Sequence, residues 1–272
     1  MMKHSIELEA QEGVKLGGLL TWAFTFPGTP YFAGYRALTS KGLDLPVLGA
    51  FKLLGSLSGS RLPLSSTGAH ALSDVLANGV RDQPELDGMA TLDANTLRVL
   101  LWNYHDELVP APATPVHLSI NVPASIGPYV RVSHLRVDES HGDAYTVWVA
   151  QGMPTNPSPA QEKALQQAMA PSALVPDQTA QVTANGTVEL DFDLPRFGVS
   201  LVTLLPADAS NGGAGGAPSG LGGDSSGGAP AAPSSGGCAC RSGGVGTGQQ
   251  SAAQLVLGLL AFAALVRRRR VR

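Results

Sequence analysis

The chain has 272 residues, of which 43% are hydrophobic and 14% are charged, and its formal net charge is −3. Residues 1–210 carry 12 basic against 20 acidic side chains, and this acidic body argues against a nucleic-acid partner because it repels phosphate. The two cysteines, Cys238 and Cys240, exclude a disulfide framework and cannot by themselves complete a four-ligand zinc site. We predict neither a metal nor a cofactor.

The first 57 residues have the alternation of helix and strand that is typical of an α/β fold. Residues 3–12 are predicted to form a short polar helix that ends at Gly13, because glycine readily takes the left-handed conformation of a helix end. A buried strand is predicted over Leu19 to Phe26. A second helix is predicted over Asp44 to Leu57, with Asp44 as its cap and a proline tolerated in the first turn. The order is helix, strand, helix.

After Gly59 the pattern changes to short apolar and β-branched runs separated by Pro, Gly and Asn. These runs predict strands at 97–104, 116–122, 129–137, 145–150, 187–194 and 199–205. Their number and spacing are typical of a β-sandwich. One helix interrupts them, because Ser158, Pro159 and Gln161 form a capping-box pattern and the following helical run stops at Pro171.

The C-terminal quarter has a different composition. Residues 207–250 are mostly Gly, Ser, Ala and Pro, which cannot bury enough surface to fold, so a flexible linker is predicted. The uncharged apolar run 252–266 covers roughly 22 Å as a helix, and the small residues before it extend the span towards the roughly 30 Å of a bilayer core.

Four arginines follow that apolar run: Arg267, Arg268, Arg269 and Arg270. A buried globular helix is the alternative, but such a helix does not usually follow a long tether and end in four arginines. We therefore predict a membrane anchor over 251–272 with a cytoplasmic stop-transfer cluster. The body is then exported, and it is membrane-anchored or lies at the cell surface.

Four stretches together carry a family resemblance: "TWAFTFPGTPYFAGYRALTSKGLDLPVLGAFKLLGSLSGSRL", "VLLWNYHDELVPAP", "VSHLRVDESHGDAYTVW" and "LPRFGVSLVTLL". In order and spacing they resemble the C-terminal third of bacterial glycoside hydrolase family 39 enzymes, the β-xylosidase group. The resemblance implies a mainly β fold. Residues 1–57 would be the last helix, strand and helix of a (β/α)8 barrel, and residues 58–206 an accessory β-sandwich.

The resemblance also implies a chemistry, which is retaining hydrolysis of O-glycosyl bonds by two glutamates. In that family the acid/base lies in an Asn-Glu-Pro motif after the fourth strand, and the nucleophile ends the seventh strand. This chain has no Asn-Glu-Pro, and its similarity begins after the seventh strand, so no catalytic residue is assigned.

We therefore expect the chain to be the C-terminal piece of a longer exported glycosidase and to be inactive alone. The absence of an apolar signal segment in the first 15 residues agrees with this expectation. The alternative is a non-catalytic, surface-anchored β-sandwich module that binds carbohydrate or a partner.

Two aromatic residues are the candidates for substrate contact. By the resemblance, Trp22 lies at a barrel strand end, where an indole can pack on the apolar face of a xyloside-like sugar; core packing is the alternative. Phe24 faces the same way by strand alternation. Tyr31, Phe32 and Tyr35 are expected to pack the following loop and helix start.

Two further motifs complete the predictions. The "GGCACRSGG" stretch with the apolar run and "RRRR" is similar to the MYXO-CTERM sorting signal, which implies processing or lipidation at Cys238 or Cys240; two plain tether thiols are the alternative. The 102–107 stretch "WNYHDE" is predicted to be a strand end with a solvated turn. Loop hydrogen bonds are the only role given to the polar residues of 136–145, which are Arg136, Asp138, His141 and Tyr145.

Overall fold

A computed structural model describes residues 2–13, 15, 17–18, 20–21, 23–24 and 26–209. Trp22, both cysteines, the arginine cluster, the predicted anchor and nearly all of the predicted linker lie outside these residues. Among the helices of the described residues, none has the length and apolar character needed to span a membrane.

The described chain is mainly β. Its helices are α1 (Met2–Glu12), α2 (Pro46–Gly55), α3 (Leu72–Asn78), α4 (Ala144–Ala150) and α5 (Pro159–Ala168), with a 3-10 turn at Ala124–Ile126. Its strands are β1 (Thr39–Ser40), β2 (Leu43–Asp44), β3 (Ser60–Leu62), β4 (Glu85–Asp93), β5 (Thr96–Tyr104), β6 (Thr114–Asn121), β7 (Tyr129–Val137), β8 (Ser172–Gln181), β9 (Thr187–Leu194) and β10 (Val199–Pro206).

Two antiparallel sheets form the body. The large sheet has the strand order β3-β4-β5-β10-β7-β8, and the small sheet pairs β6 with β9. The main core lies between them, where Val99, Val130 and Val202 of the large sheet meet Val116 and Val188 of the small one. Strand alternation explains this layout, because every second residue of each strand faces the partner sheet.

Helix α2 covers the opposite face of the large sheet. Leu53 packs there with Leu100, Val137 and Leu201. The approach is close at Gly49, where an added Cβ would lie 3.1 Å from Cγ2 of Val137. A side chain at position 49 would therefore require Val137 to shift by a few tenths of an ångström.

Several sequence predictions agree with this structure. The strands predicted from residues 97, 129, 187 and 199 begin within one residue of β5, β7, β9 and β10, and β6 begins two residues early. Helix α5 has the predicted capping box, since Ser158 accepts from the amide of Gln161 and the side chain of Gln161 accepts from the amide of Ser158.

The N-terminal prediction is wrong in its strand. None of the described residues between 20 and 26 belongs to a strand. In the described residues, the only strands between the two helices are those of the short hairpin β1-β2. A buried barrel strand needs neighbours on both sides, and the described residues supply none for this segment. Helix α2 also begins later than predicted: Asp44 lies in β2 and pairs with Lys52 instead of capping the helix.

The strand predicted at 145–150 is also wrong, because these residues form α4. Asp143 caps the helix by accepting from the amide of Tyr145, and its other oxygen accepts from the hydroxyl of Thr146. The helix packs against α5, with Ala144 and Leu165 fully buried. Capping and packing thus override the β-branched composition of the run. Strands β1 to β4, strand β8 and helix α3 were not predicted.

Candidate functional site

The segment predicted to contact substrate forms an aromatic surface. The ring of Phe24 stacks on Phe26 with centroids 6.1 Å apart and planes 2° from parallel. It also stacks on Tyr35 at 6.5 Å. Phe26 and Tyr35 are both exposed, so the packing role predicted for Tyr35 is wrong, and the tyrosine instead extends the aromatic surface of Phe24.

A second aromatic cluster is structural. Phe32 lies 5.1 Å from Trp148 and 5.5 Å from Tyr145, measured between ring centroids. Tyr31 and Phe32 pack with Trp148 against the small core of Leu43, Ala144 and Leu165. These two residues therefore pack, as the sequence predicted, but their partners include residues of α4 and α5 instead of only the following loop and helix start. Tyr145 belongs to this cluster on α4 and not to a polar loop.

The "WNYHDE" stretch holds the end of β5 in place. His105 is buried, and its Nε2 lies 2.5 Å from the carbonyl oxygen of Arg81. Asp106 accepts from the amide of Val80 at 2.9 Å and from the hydroxyl of Tyr104 at 3.0 Å. The hydrogen bond from the amide of Val80 is the larger cause, and that from the hydroxyl of Tyr104 the next, of a pKa of Asp106 below its usual value. These side chains therefore stabilise a turn at the end of the strand, as predicted, but His105 is buried in that turn and not solvated.

Two acidic side chains lie close together on β4. Glu85 and Asp87 are two residues apart, so they share a face, and both are buried. Helix α1 covers them: Nε2 of His4 is 2.6 Å from Glu85, and the ammonium of Lys3 pairs with Asp87. Nε1 of Trp102 also donates to Glu85 at 3.3 Å. These carboxylates therefore join α1 to the sheet and do not face a sugar-sized opening.

The described residues form a cleft of about 590 Å³ at one end of the sandwich, which we call the end cleft. It is formed by the segments 108–111 after β5, 136–141 at the end of β7 and 193–197 between β9 and β10. These segments meet because β5 and β7 both run antiparallel to β10 and finish beside its start, and β9 leads directly into that start. The cleft was not predicted, since no single motif contains it.

Asp138 organises one wall of the end cleft. Its Oδ1 accepts from the amide of Ser140 and is hydrogen-bonded to Nδ1 of His141, both at 2.8 Å. Its Oδ2 lies 3.8 Å from Nη1 of Arg136. Two backbone hydrogen bonds between Asp138 and His141 close the turn. The predicted loop hydrogen bonds are thus present at these residues.

Arg136 is the inner cation of the end cleft and is only 3% exposed. Its Nε donates to the hydroxyl of Ser200 at 3.1 Å, and its guanidinium carbon lies 5.5 Å from the ring centroid of Phe192. Burial lowers the pKa of Arg136, and the nearby carboxylates of Asp138 and Asp193 oppose that change. Nη2 of Arg136 has no hydrogen-bond partner among the described residues.

Comparison with known proteins identifies the family. The chain matches the model of glycosyl hydrolases family 39 over residues 24–188, more than half of its length. The chain therefore belongs to glycosyl hydrolases family 39, as the sequence resemblance predicted.

Two solved structures illustrate the relationship. The GH39 enzyme from Xanthomonas axonopodis pv. citri has a TM-score of 0.51 and 24% identity, covering 66% of this chain and 34% of that chain. A monomeric β-xylosidase from Caulobacter crescentus CB15 matches with a TM-score of 0.50 and 20% identity. The match covers 67% of this chain and 35% of that chain. These likenesses establish the shared fold, and the chain spans about a third of the length of either structure. No curated protein sequence matches the chain.

Proposed function

We propose that this chain is the C-terminal part of an exported family 39 glycosidase that hydrolyses β-xylosides or related plant-polysaccharide fragments. The family match supports the reaction class. The β-xylosidase among the similar structures motivates the choice of sugar. In this proposal the chain is catalytically silent alone and becomes part of an active enzyme only together with the barrel strands that carry the two glutamates.

The observation that carries the inactivity proposal is the burial of the carboxylate pair beneath α1. Retaining hydrolysis needs two carboxyl groups about 5 to 5.5 Å apart on opposite sides of the scissile bond. Glu85 and Asp87 project from one face of one strand, and each is paired with a basic side chain of α1. A sugar cannot enter between them, so this pair cannot supply the acid/base and the nucleophile.

The aromatic surface around Phe24 is the proposed wall of the substrate site. Its stacked rings offer flat apolar faces that fit the C–H face of a pyranose. Trp22, which lies outside the described residues, is proposed to contact the same sugar. In the intact enzyme, Trp22→Ala and Phe24→Ala should raise KM more than they lower kcat.

The direct test is an activity assay on the purified chain with an aryl β-xyloside. We expect no turnover above buffer. Joining the chain to the sequence encoded immediately upstream should give turnover, and that activity should vanish when the glutamate of an Asn-Glu-Pro motif there is changed to glutamine. Turnover by the chain alone would refute the proposal.

A second candidate is a non-catalytic surface module. The end cleft favours it, because the cleft is a ligand-sized opening that needs no barrel to form. Translation of the upstream DNA separates the two candidates. An Asn-Glu-Pro motif and a signal peptide there support the glycosidase, and their absence in every frame supports the module.

The tail supplies the proposed location. The linker, the apolar run and the arginines Arg267, Arg268, Arg269 and Arg270 support an exported body tethered to the membrane or the cell surface. Cys238 and Cys240 are the proposed point of processing or lipid attachment in a MYXO-CTERM-type signal.

A further inference from the structure

The end cleft combines charges of both signs, which bears on its ligand. Arg136 and Arg196 provide two cations, while Asp138, Glu139 and Asp193 provide three carboxylates. Neither a strongly anionic nor a strongly cationic ligand matches such a lining. A neutral ligand with many hydroxyl groups does, because each hydroxyl can donate to a carboxylate and accept from a guanidinium.

Two guanidinium groups in the cleft have unused donors. Nη2 of Arg136 and Nε of Arg196 are buried and have no hydrogen-bond partner within the described part of the chain. Arg136 is held from its other side by Ser200 and Asp138, and Nη1 of Arg196 donates to the carbonyl of Val109 at 3.1 Å. Because buried donors are normally satisfied, these two N–H groups indicate an acceptor from water or from a ligand.

An aromatic ring lies at the edge of the same cleft. Phe197 is 41% exposed and has a φ of 65°, a left-handed conformation that is unfavourable for a bulky residue. The turn that holds it is closed by the amide of Gly198 donating to Pro195 at 2.9 Å. The amide of Phe197 itself donates to Asn103 at 2.7 Å. The fold therefore keeps an aromatic ring at the cleft despite the backbone cost.

We propose that the end cleft is a non-catalytic binding site for a neutral oligosaccharide, in which Phe197 stacks on one sugar ring and Arg136, Arg196 and Asp193 bind its hydroxyl groups. This site goes beyond the proposed hydrolysis, because it lies on the sandwich and needs no catalytic glutamate. Only the choice of a xylose-based probe rests on the proposed function.

The test is titration calorimetry of the full chain with xylotetraose, and with tetragalacturonate as an acidic probe. Phe197→Asn removes the ring and places in the turn a residue that tolerates a positive φ, so the fold should be kept. Met153→Asn is the matched control, because Met153 also has a positive φ, 55°, is 56% exposed and lies outside the cleft.

We expect xylotetraose to bind, with affinity weakened about fivefold or more by Phe197→Asn and unchanged by Met153→Asn. Asp193→Asn, at an exposed lining residue, should weaken binding about threefold, and it tests the polar contacts if Phe197→Asn fails to fold. Tetragalacturonate should bind more weakly than xylotetraose.

Three results would overturn the proposal: no binding of xylotetraose, equal affinities in Phe197→Asn and Met153→Asn, or preferential binding of tetragalacturonate. Binding is measured here without turnover, so such a failure leaves the glycosidase proposal standing. Conversely, failure of the upstream-fusion assay leaves the cleft proposal standing.

Discussion

His134 is a buried histidine on the inner face of β7. Its ring packs edge-on against Phe192 at 4.6 Å, and its Nε2 has no hydrogen-bond partner among the described residues. Burial, followed by the positive charges of Arg136 and His141, lowers the pKa of His134 to about 4. The histidine is therefore neutral in the folded protein and charged in the unfolded chain over a range of acidic pH.

This difference predicts a pH-dependent stability. The unfolded chain binds a proton near pH 6.5 and the folded protein only near pH 4, so stability is lost as the pH falls through that window. The histidine should lower the free energy of unfolding by roughly 3 kcal/mol between pH 7 and pH 4. Urea unfolding of wild type and His134→Gln at several pH values measures it. The variant should lose less stability on acidification, and parallel curves would contradict the prediction.

At the scale of elements, α1 is joined to the sandwich by polar contacts. Lys3 pairs with buried Asp87, and His4 lies between Glu85 and Glu7, 2.6 Å and 3.0 Å away respectively. Helix α1 is polar overall, and none of its described residues belongs to the buried apolar clusters in which Leu53 of α2 takes part. The attachment of α1 therefore depends on compensating the two carboxylates of β4.

Lys3→Met removes that compensation for Asp87. We expect a loss of roughly 3 kcal/mol in the free energy of unfolding, the lower end for a broken buried ion pair, because a surface helix can shift and readmit water. Urea denaturation measures the change, and Glu12→Gln, at an exposed position of the same helix, is the control. The double variant Lys3→Met with Asp87→Leu should recover most of the loss. A single variant as stable as wild type would show that the pair contributes nothing.

At the scale of the whole molecule, the C-terminal tail is predicted to anchor the protein to the membrane. Expressed behind a signal peptide, the full chain should fractionate with the membrane, and a chain ending at residue 250 should be released, because the apolar run is lost. A variant in which Arg267–Arg270 are replaced by glutamine keeps the apolar run. It should therefore still fractionate with the membrane, and any change that it shows concerns the orientation of the chain. A full chain found entirely in the soluble fraction would contradict the prediction.

The whole molecule also explains which predictions succeeded. The alternation of apolar and polar residues within 129–137 and 187–194 correctly predicted two strands. One face of each strand meets the main core, so every second residue is buried and the pattern is visible in a short stretch of sequence. The α5 capping box was read correctly for the same reason, since Ser158 and Gln161 interact across a single helical turn. Gly-containing β4 alternates less clearly, and it is a strand because β3 and β5 pair with it.

The sequence by itself indicated the family through the resemblance of four stretches to family 39 enzymes. It also determined the mainly β fold and the contrast in composition between body and tail, because composition, alternation and capping are short-range properties of a chain. Only the tertiary structure decided that 145–150 is a helix, that α1 covers Glu85 and Asp87, and that three distant segments form the end cleft. Those outcomes depend on which side chains meet across strands, and contact energies between residues far apart in sequence leave no local pattern.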